Sequence, residues 1–441
     1  MRIRFNGSTY ISINEDLIFM RIIRIITLAF IFAFASFFVI NAFAQTADVN
    51  FEEKREEIDM DALRKWIRDK RLVTTKELGG ELAISGQVRT EFQAFDEKRF
   101  GVQQRGPTGA TNVAARSFDV DVNLNIDYRA DRTWASIKLR FDNNMGIRSG
   151  TVNSIRLERG YFGGRAVNGD TFTFDIELGR RYLFNIFESN LEFANLYDGV
   201  LFKFSKAFES IANFYFNSGI FIIDERDDHF GYVGEMGMLK IKNSGLNAKY
   251  SMINWRKHKP VIGSSNYLED LRYDFLVSQL LFSYLYTPKS FNKLFKFYAA
   301  GLYNHFAKND LAVTNFKRAN IGWYVGTSIG LVRKKGDWAL DVNYQYLRAQ
   351  AVPDFDTSGI GRGNAQRVGL YTQNINGSGG ATTNATAVGG GNYYGFAIDL
   401  LYAITDNLTL QQNFKYSNTL DKSIGPDLKY RQYEAEFIYA F

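Results

Sequence analysis

The sequence predicts an all-β fold, a transmembrane antiparallel β-barrel of about sixteen strands preceded by a short helix. Three observations carry that prediction. Period-two alternation begins near Leu82 and runs to the last residue. In FDVDVNLNIDY, residues 118–128, Phe118, Val120, Val122, Leu124, Ile126 and Tyr128 alternate with Asp119, Asp121, Asn123, Asn125 and Asp127. A strand with two such faces fits a sheet over a soluble core, and equally a membrane barrel with lipid outside and water inside. The composition favours the barrel. Aromatic residues make up 16% of the chain while the hydrophobic fraction is an ordinary 46% and the mean hydropathy is slightly negative, as expected when lipid-facing residues interleave with polar ones. Finally, the segments between strands alternate in length. Long links at 96–116, 257–269, 308–318 and 351–391 alternate with short ones at 129–132, 243–244, 335–336 and 405–407. A barrel with two unlike rims has this property, and a soluble sandwich has no reason for it.

Residues 1–44 read as a signal peptide. From Met20, the basic residues Arg21 and Arg24 precede a long apolar run that ends in Ala42-Phe43-Ala44 before Gln45, the order of a cleaved secretory leader. Cleavage is expected after Ala44, with Ala42 and Ala44 as the small residues of the site. A retained membrane helix is the competing reading of the same run. Residues 1–19 carry no such logic, and a start at Met20 makes them an upstream extension. The chain has no cysteine, which suits a bacterial envelope protein. Removing residues 1–44 takes four basic and two acidic residues from a formal net charge of +6, and the +4 that remains is too modest, at this length, for a nucleic-acid binder.

Residues 45–80 are highly charged, with Leu63, Trp66 and Ile67 at helical spacing. They predict an amphipathic periplasmic helix and linker, or a solvated tether of partial helicity. The barrel is expected to fill residues 81–441. Strands are predicted at 82–95, 117–128, 133–143, 153–163, 170–181, 196–205, 210–223, 230–242, 245–256, 270–286, 294–307, 319–334, 337–350, 392–404, 408–418 and 428–441. All five prolines fall in the links, where a missing N–H breaks no ladder. The Gly-rich stretch 377–391 reads as a loop tip.

In the last strand Tyr433, Ala435, Phe437, Tyr439 and Phe441 share one face. Tyr433, Phe437, Tyr439 and the terminal Phe441 resemble the C-terminal targeting strand of outer-membrane barrels, which implies the barrel-assembly machinery as a partner. FDIELGRRYLF (174–184) and NLYDGVLFKFS (195–205) are similar to the strands that lead into and out of the inward-folded third loop of Gram-negative outer-membrane porins. The resemblance is to the porin families that carry a charged helix before the barrel. It implies an outer-membrane location in contact with lipid and lipopolysaccharide, a homotrimer, and a channel for small hydrophilic solutes and ions. Residues 182–195 hold Leu183, Phe184, Ile186, Phe187, Leu191 and Phe193, too apolar to hang in water. The loop therefore either folds into the barrel or lies in an oligomer interface.

Strand parity places Arg89, Lys138, Arg140, Arg156 and Arg181 on the water-facing side, with Glu188, Glu192 and Asp198 expected opposite them from the loop and its return. Facing rows of opposite charge would set a transverse field across a constriction. Enzymatic readings have less support. His229, His258 and His305 lie in unrelated segments, without a metal-binding or nucleophile-elbow motif, and no Ser and His pair on an outward strand is evident. The acidic run 224–228 lacks calcium-loop spacing. No catalytic residue, metal or cofactor is expected. The alternative to a channel is a closed structural or adhesive surface barrel that binds partners through its loops and helix.

Overall fold

The computed structural model describes residues 73–77, 80–111, 113–145, 154–169, 171–208, 211–225, 229–255, 275–291, 293–307, 318–353, 356–360, 391–422 and 427–441. Its strands are β1 (Val73–Glu77), β2 (Gly80–Arg99), β3 (Val102–Gln103), β4 (Arg116–Arg129), β5 (Thr133–Asn144), β6 (Ser154–Asn168), β7 (Phe172–Tyr182), β8 (Leu196–Phe208) and β9 (Ala212–Asp224). They continue with β10 (His229–Leu239), β11 (Leu246–Trp255), β12 (Phe275–Tyr286), β13 (Phe295–Asn304), β14 (Ile321–Gly330), β15 (Trp338–Leu347), β16 (Tyr393–Ala403), β17 (Leu408–Thr419) and β18 (Leu428–Ala440). Sixteen of these, β2 and β4 to β18, form one closed antiparallel barrel. It closes where β18 pairs with β2, from Leu428 opposite Arg99 to Ala440 opposite Gln87.

The alternation of FDVDVNLNIDY now has a direction. Asp121 and Asn123 are each only 3% exposed inside the barrel, whereas Phe118 is 52% exposed outside it. The same holds around the ring: Ile137, Phe162, Ile220, Met236, Phe282 and Phe437 all lie exposed on the outer face. Polar residues inside and apolar residues outside invert a soluble core and suit a barrel whose solvent is lipid. Short turns such as 130–132 and 404–407 gather at one rim, and the longer links gather at the other.

The predicted strands and the observed ring agree in number and order, with local differences. β2 runs to Arg99 rather than ending at 95, because Asp96 to Arg99 continue the ladder with β18. Phe100 and Gly101, both at positive φ, then make a tight two-residue turn into β3, the type whose twist matches a hairpin. The signal-peptide reading, with Ala42 and Ala44, and the helix expected before residue 73 lie outside the described residues. Part of the expected linker, Val73–Glu77, is instead a strand. β1 pairs with Gly80 to Ile84 of β2. Since β4 already occupies the other edge of β2 there, β1 continues the edge that β18 takes further along.

Register shifts interrupt strict parity at three places, in the β5–β6, β6–β7 and β9–β10 ladders, and the first bears on the lumen. The β5–β6 register shifts between Lys138 and Leu139, so Glu158 is the extra residue of a β-bulge. Both Glu158 and Arg159 thereby reach lumen-facing partners, Lys138 and Arg140 for the first and Asp127 for the second.

Candidate functional site

The site is the barrel interior, divided by the loop between β7 and β8. The neck of that loop is closed by Leu183 N donating to Asn195 O (2.9 Å), and a 3-10 turn over Leu183–Asn185 directs the chain inward. Leu183, Ile186, Phe187, Leu191 and Phe193 are all buried in one cluster with Phe221, Ile253, Val277, Tyr324 and Leu347 from the wall. These wall residues are apolar at lumen-facing positions, so in this sector the polar interior gives way to an apolar seat for the loop. Burying apolar surface that would otherwise meet lumen water is the main force that docks the loop.

Polar anchors fix where it docks. The Glu188 carboxylate pairs with Lys249 of β11 and with Lys296 of β13, the latter at 2.8 Å. Glu188 N donates to Glu235 (3.2 Å), and Gln279 Nε2 donates to Glu188 O (2.7 Å). Burial opposes charge on Glu188, but the two ammonium groups outweigh it and hold the carboxyl well below the usual range.

A second segment, which follows β15, clasps the loop from the other side. Asp356 accepts from Phe193 N (3.1 Å), Asn195 N (3.2 Å) and Asn195 Nδ2 (3.1 Å). Ser358 donates from N to Leu191 O (3.1 Å) and from Oγ to Glu192 O (2.9 Å). Burial pushes the Asp356 carboxyl up to about 7 despite those donors. Glu192 is pushed well above its usual range by burial, with Asp356 and Glu235 adding like charge. Both its carboxylate oxygens lack a hydrogen-bond partner among the described residues, the surroundings of a neutral acid.

The expected cation row lies on the opposite wall, and it is a zipper rather than a row. Arg89 pairs with Glu436 (2.7 Å), Lys138 with Glu158, and Arg140 with Asp121, Glu158 (3.4 Å) and Asp142 (3.6 Å). Arg156 lies opposite Arg140 on the same face and is exposed. Arg181 faces inward but is buried, paired with Glu177 and stacked over the Tyr161 ring at 4.0 Å. Cross-strand neighbours of opposite charge pair locally, which is why the cations do not wait for a loop to neutralise them.

Two expectations therefore need correction. Glu188 and Glu192 do not face Lys138, Arg140 and Arg181; the apolar seat carries the loop to the β10–β16 side, where Lys249 and Lys296 lie. Asp198 is not in the lumen. Tyr197 opposite Arg181 points in, so Asp198 points out, where Arg180 grips it with two bonds of 2.7 Å. Sequence reading missed Glu158, Arg159, Glu177, Lys249, Lys296 and Asp356. Parity alone could have marked Lys249 and Lys296 as inward; nothing local marks Asp356.

Solvent exposure separates the two halves of the lumen. Glu235 and Gln279, beside the loop, are 1% and 2% exposed. On the other wall the side chains of Lys138, Arg140 and Asp142 keep 27%, 30% and 28%. On that wall the cations and Asp142 keep contact with solvent, while the acid partners Asp121, Glu158 and Glu436 are buried.

Of the aromatic terminal strand, Tyr433, Phe437, Tyr439 and Phe441 are exposed on the outer face. Phe441 exchanges two backbone bonds with Gly86, at 2.8 and 3.0 Å. Its ring covers Gly86 so closely that a Cβ there would lie 2.3 Å from it. The structure also brings together a pair that the sequence hid, Ser278 and His305, on the outer face.

No family model matches the chain, and no curated protein matches it by sequence. Among solved structures it is similar to Salmonella typhi OmpF in complex with daunomycin, at 13% identity and a TM-score of 0.47, over 84% of this chain and 100% of that one. It is also similar to Pseudomonas putida OprB at high pH, at 9% identity and a TM-score of 0.48, over 82% of this chain and 94% of that one. Vibrio cholerae OmpT matches at 12% identity with a TM-score of 0.42, over 83% of this chain and all of that one. At such identities and scores the likeness assigns no role to any residue. What the chain has in common with them is a closed antiparallel barrel.

Proposed function

We propose that the chain is an outer-membrane porin, a channel for passive diffusion of small hydrophilic solutes and ions. The observation that carries this reading is the charge zipper on β2 and β4 to β6, whose Lys138, Arg140 and Asp142 side chains keep solvent contact across the lumen from a docked loop. A barrel closed for structural reasons alone has no need to keep ionised groups wet along one wall. On this reading the long links are external and the short turns periplasmic, which puts β18 and its terminal Phe441 where assembly machinery would meet them. A cleaved leader ending at Ala44, contact with lipopolysaccharide and a homotrimer belong to the same proposal.

The wet wall also suggests the preferred charge. Glu91 and Asp119 stand directly opposite each other on β2 and β4. Like charges directly opposite repel, and mobile cations relieve that repulsion. Planar bilayers with purified protein test both points. Stepwise conductance that scales with salt, with a reversal potential on the cation side, is expected; Glu91→Gln with Asp119→Asn should move it toward anions. Silent bilayers from correctly assembled protein would favour the adhesive surface barrel instead.

A further inference from the structure

Ser278 and His305 lie 27 positions apart, yet Ser278 Oγ is 2.8 Å from His305 Nε2. Ser278 is on β12, directly opposite Tyr303 of β13. His305 follows the end of β13, and its backbone is fixed there: His305 N donates to Leu276 O (2.9 Å), while Asn304 Oδ1 accepts from Leu276 N (3.1 Å) and Phe306 N (3.0 Å). The imidazole is held edge-on to the Tyr303 ring, 5.0 Å between centroids.

The pair is on the outer face. Its β12 neighbours Val277 and Gln279 are buried inside, while Leu280, Phe282 and Tyr303 are exposed outside. It also sits close to the long-loop rim, three residues from the start of β12. Outward Tyr303 and Trp323 mark that level as the interfacial aromatic belt. Ester groups of membrane lipids lie at this same depth, between headgroups and hydrocarbon. Below the pair, Gly301 lies between Leu280 and Trp323 on neighbouring strands, and a Cβ there would touch nothing within 4 Å. The result is a shallow apolar notch leading down from the hydroxyl, suited to an acyl chain.

We propose that Ser278 and His305 form a nucleophile and general base that act on acyl esters of lipids in the leaflet at the long-loop rim. The proposal is independent of whether the lumen conducts. With Nδ1 carrying the ring proton, Nε2 accepts the Ser278 hydroxyl proton as Oγ attacks the ester carbonyl carbon. The tetrahedral adduct collapses, the ester C–O bond breaks, and His305 returns the proton to the departing alcohol oxygen. Water, deprotonated by the same nitrogen, then cleaves the acyl-serine. It releases the carboxylic acid and restores the serine hydroxyl, so water is the only co-reactant. Among the described residues no carboxylate accepts a bond from His305, so the pair is a dyad, and it should react most readily with activated electrophiles.

The test uses the full-length protein, assembled in vesicles of phosphatidylethanolamine, and an alkyl fluorophosphonate. Mass spectrometry should find one phosphonyl adduct, on Ser278. His305→Ala and His305→Gln should each slow its formation by at least ~100-fold, while heat-modifiable mobility on gels shows the barrel intact. Free fatty acid should appear with the wild type and not with Ser278→Ala. No adduct, an adduct on another serine, or equal labelling of the His305 variants would overturn the dyad. Labelling of Ser278 without fatty-acid release would overturn lipid esters as its substrate.

Discussion

Replacing Glu188 with Gln should loosen the docked loop without unfolding the barrel. The carboxylate holds two cations, Lys249, whose side chain is 5% exposed, and Lys296 at 19%. Removing one partner of a fully buried pair costs about 3–5 kcal/mol, because the other charge is left uncompensated. The Glu188 side chain is itself 32% exposed, so solvent recovers part of that, leaving about 2–3 kcal/mol. If all of it falls on the docking equilibrium, the open fraction rises roughly 30- to 150-fold. Hydrogen exchange at the amides of Ile186 and Phe187, which bond to Leu183 O inside the loop, reads that opening directly. Lys249→Met combined with Glu188→Gln should recover part of the loss, since it removes one stranded charge. Unchanged exchange in the single variant, with the barrel intact, would refute the assignment of Glu188 as the loop's electrostatic anchor. It would leave the apolar seat and the Asp356 clasp as sufficient.

Docking should also weaken as pH rises. Asp356, raised from 3.8 to about 7, holds its proton more tightly when docked than when released, so its contribution is greatest below about pH 4 and is lost as pH climbs to 7. Glu192 acts in the same direction at higher pH, whereas Glu188, held low, contributes above its ordinary range and fails only in strong acid. Exchange rates at Phe193 N and Asn195 N should therefore be faster at pH 8 than at pH 5 after correction for intrinsic chemistry, and Asp356→Asn should flatten the difference. On the outer wall, Val122→Arg should destabilise the folded barrel in bilayers by about 2–4 kcal/mol, measured by urea titration, while Arg156→Gln, exposed in the lumen, should change stability little. Deleting Phe441 removes two backbone bonds to Gly86 and the ring that covers it, and should lower the yield of assembled barrel; undiminished yield would count against its role at the seam.

Much of the fold is written in period two. Polar and apolar faces, Pro-free strands and uneven links suffice for sixteen strands in the right order, because each strand's pattern is local. What escapes is set by distant neighbours. The Glu158 bulge depends on how β5 and β6 register. Asp198 turns outward because parity along β8 is fixed by the strand's pairing with β7, not by its nearness to the loop. The Asp356 clasp joins residues more than 160 positions apart, and no local signal distinguishes that aspartate from others in a long loop. The loop's density of Leu and Phe does announce that it packs somewhere. Which wall receives it is decided by apolar residues scattered over the strands from β8 to β16.

The placement of β1 has a consequence for how the ring finds its alignment. The first and last barrel strands meet only after the whole chain has been made, and Arg89 reaches Glu436 across 347 positions. β1, by contrast, forms a hairpin with β2 at once. It occupies the edge of β2 up to Ile84, and the terminal Phe441 comes to rest at Gly86, immediately beyond it. A β18 that slid two residues too far along that edge would run into β1. The short strand thus acts as a doorstop for the latest-arriving element, converting an ambiguous slide between two ladders into a stop at one position.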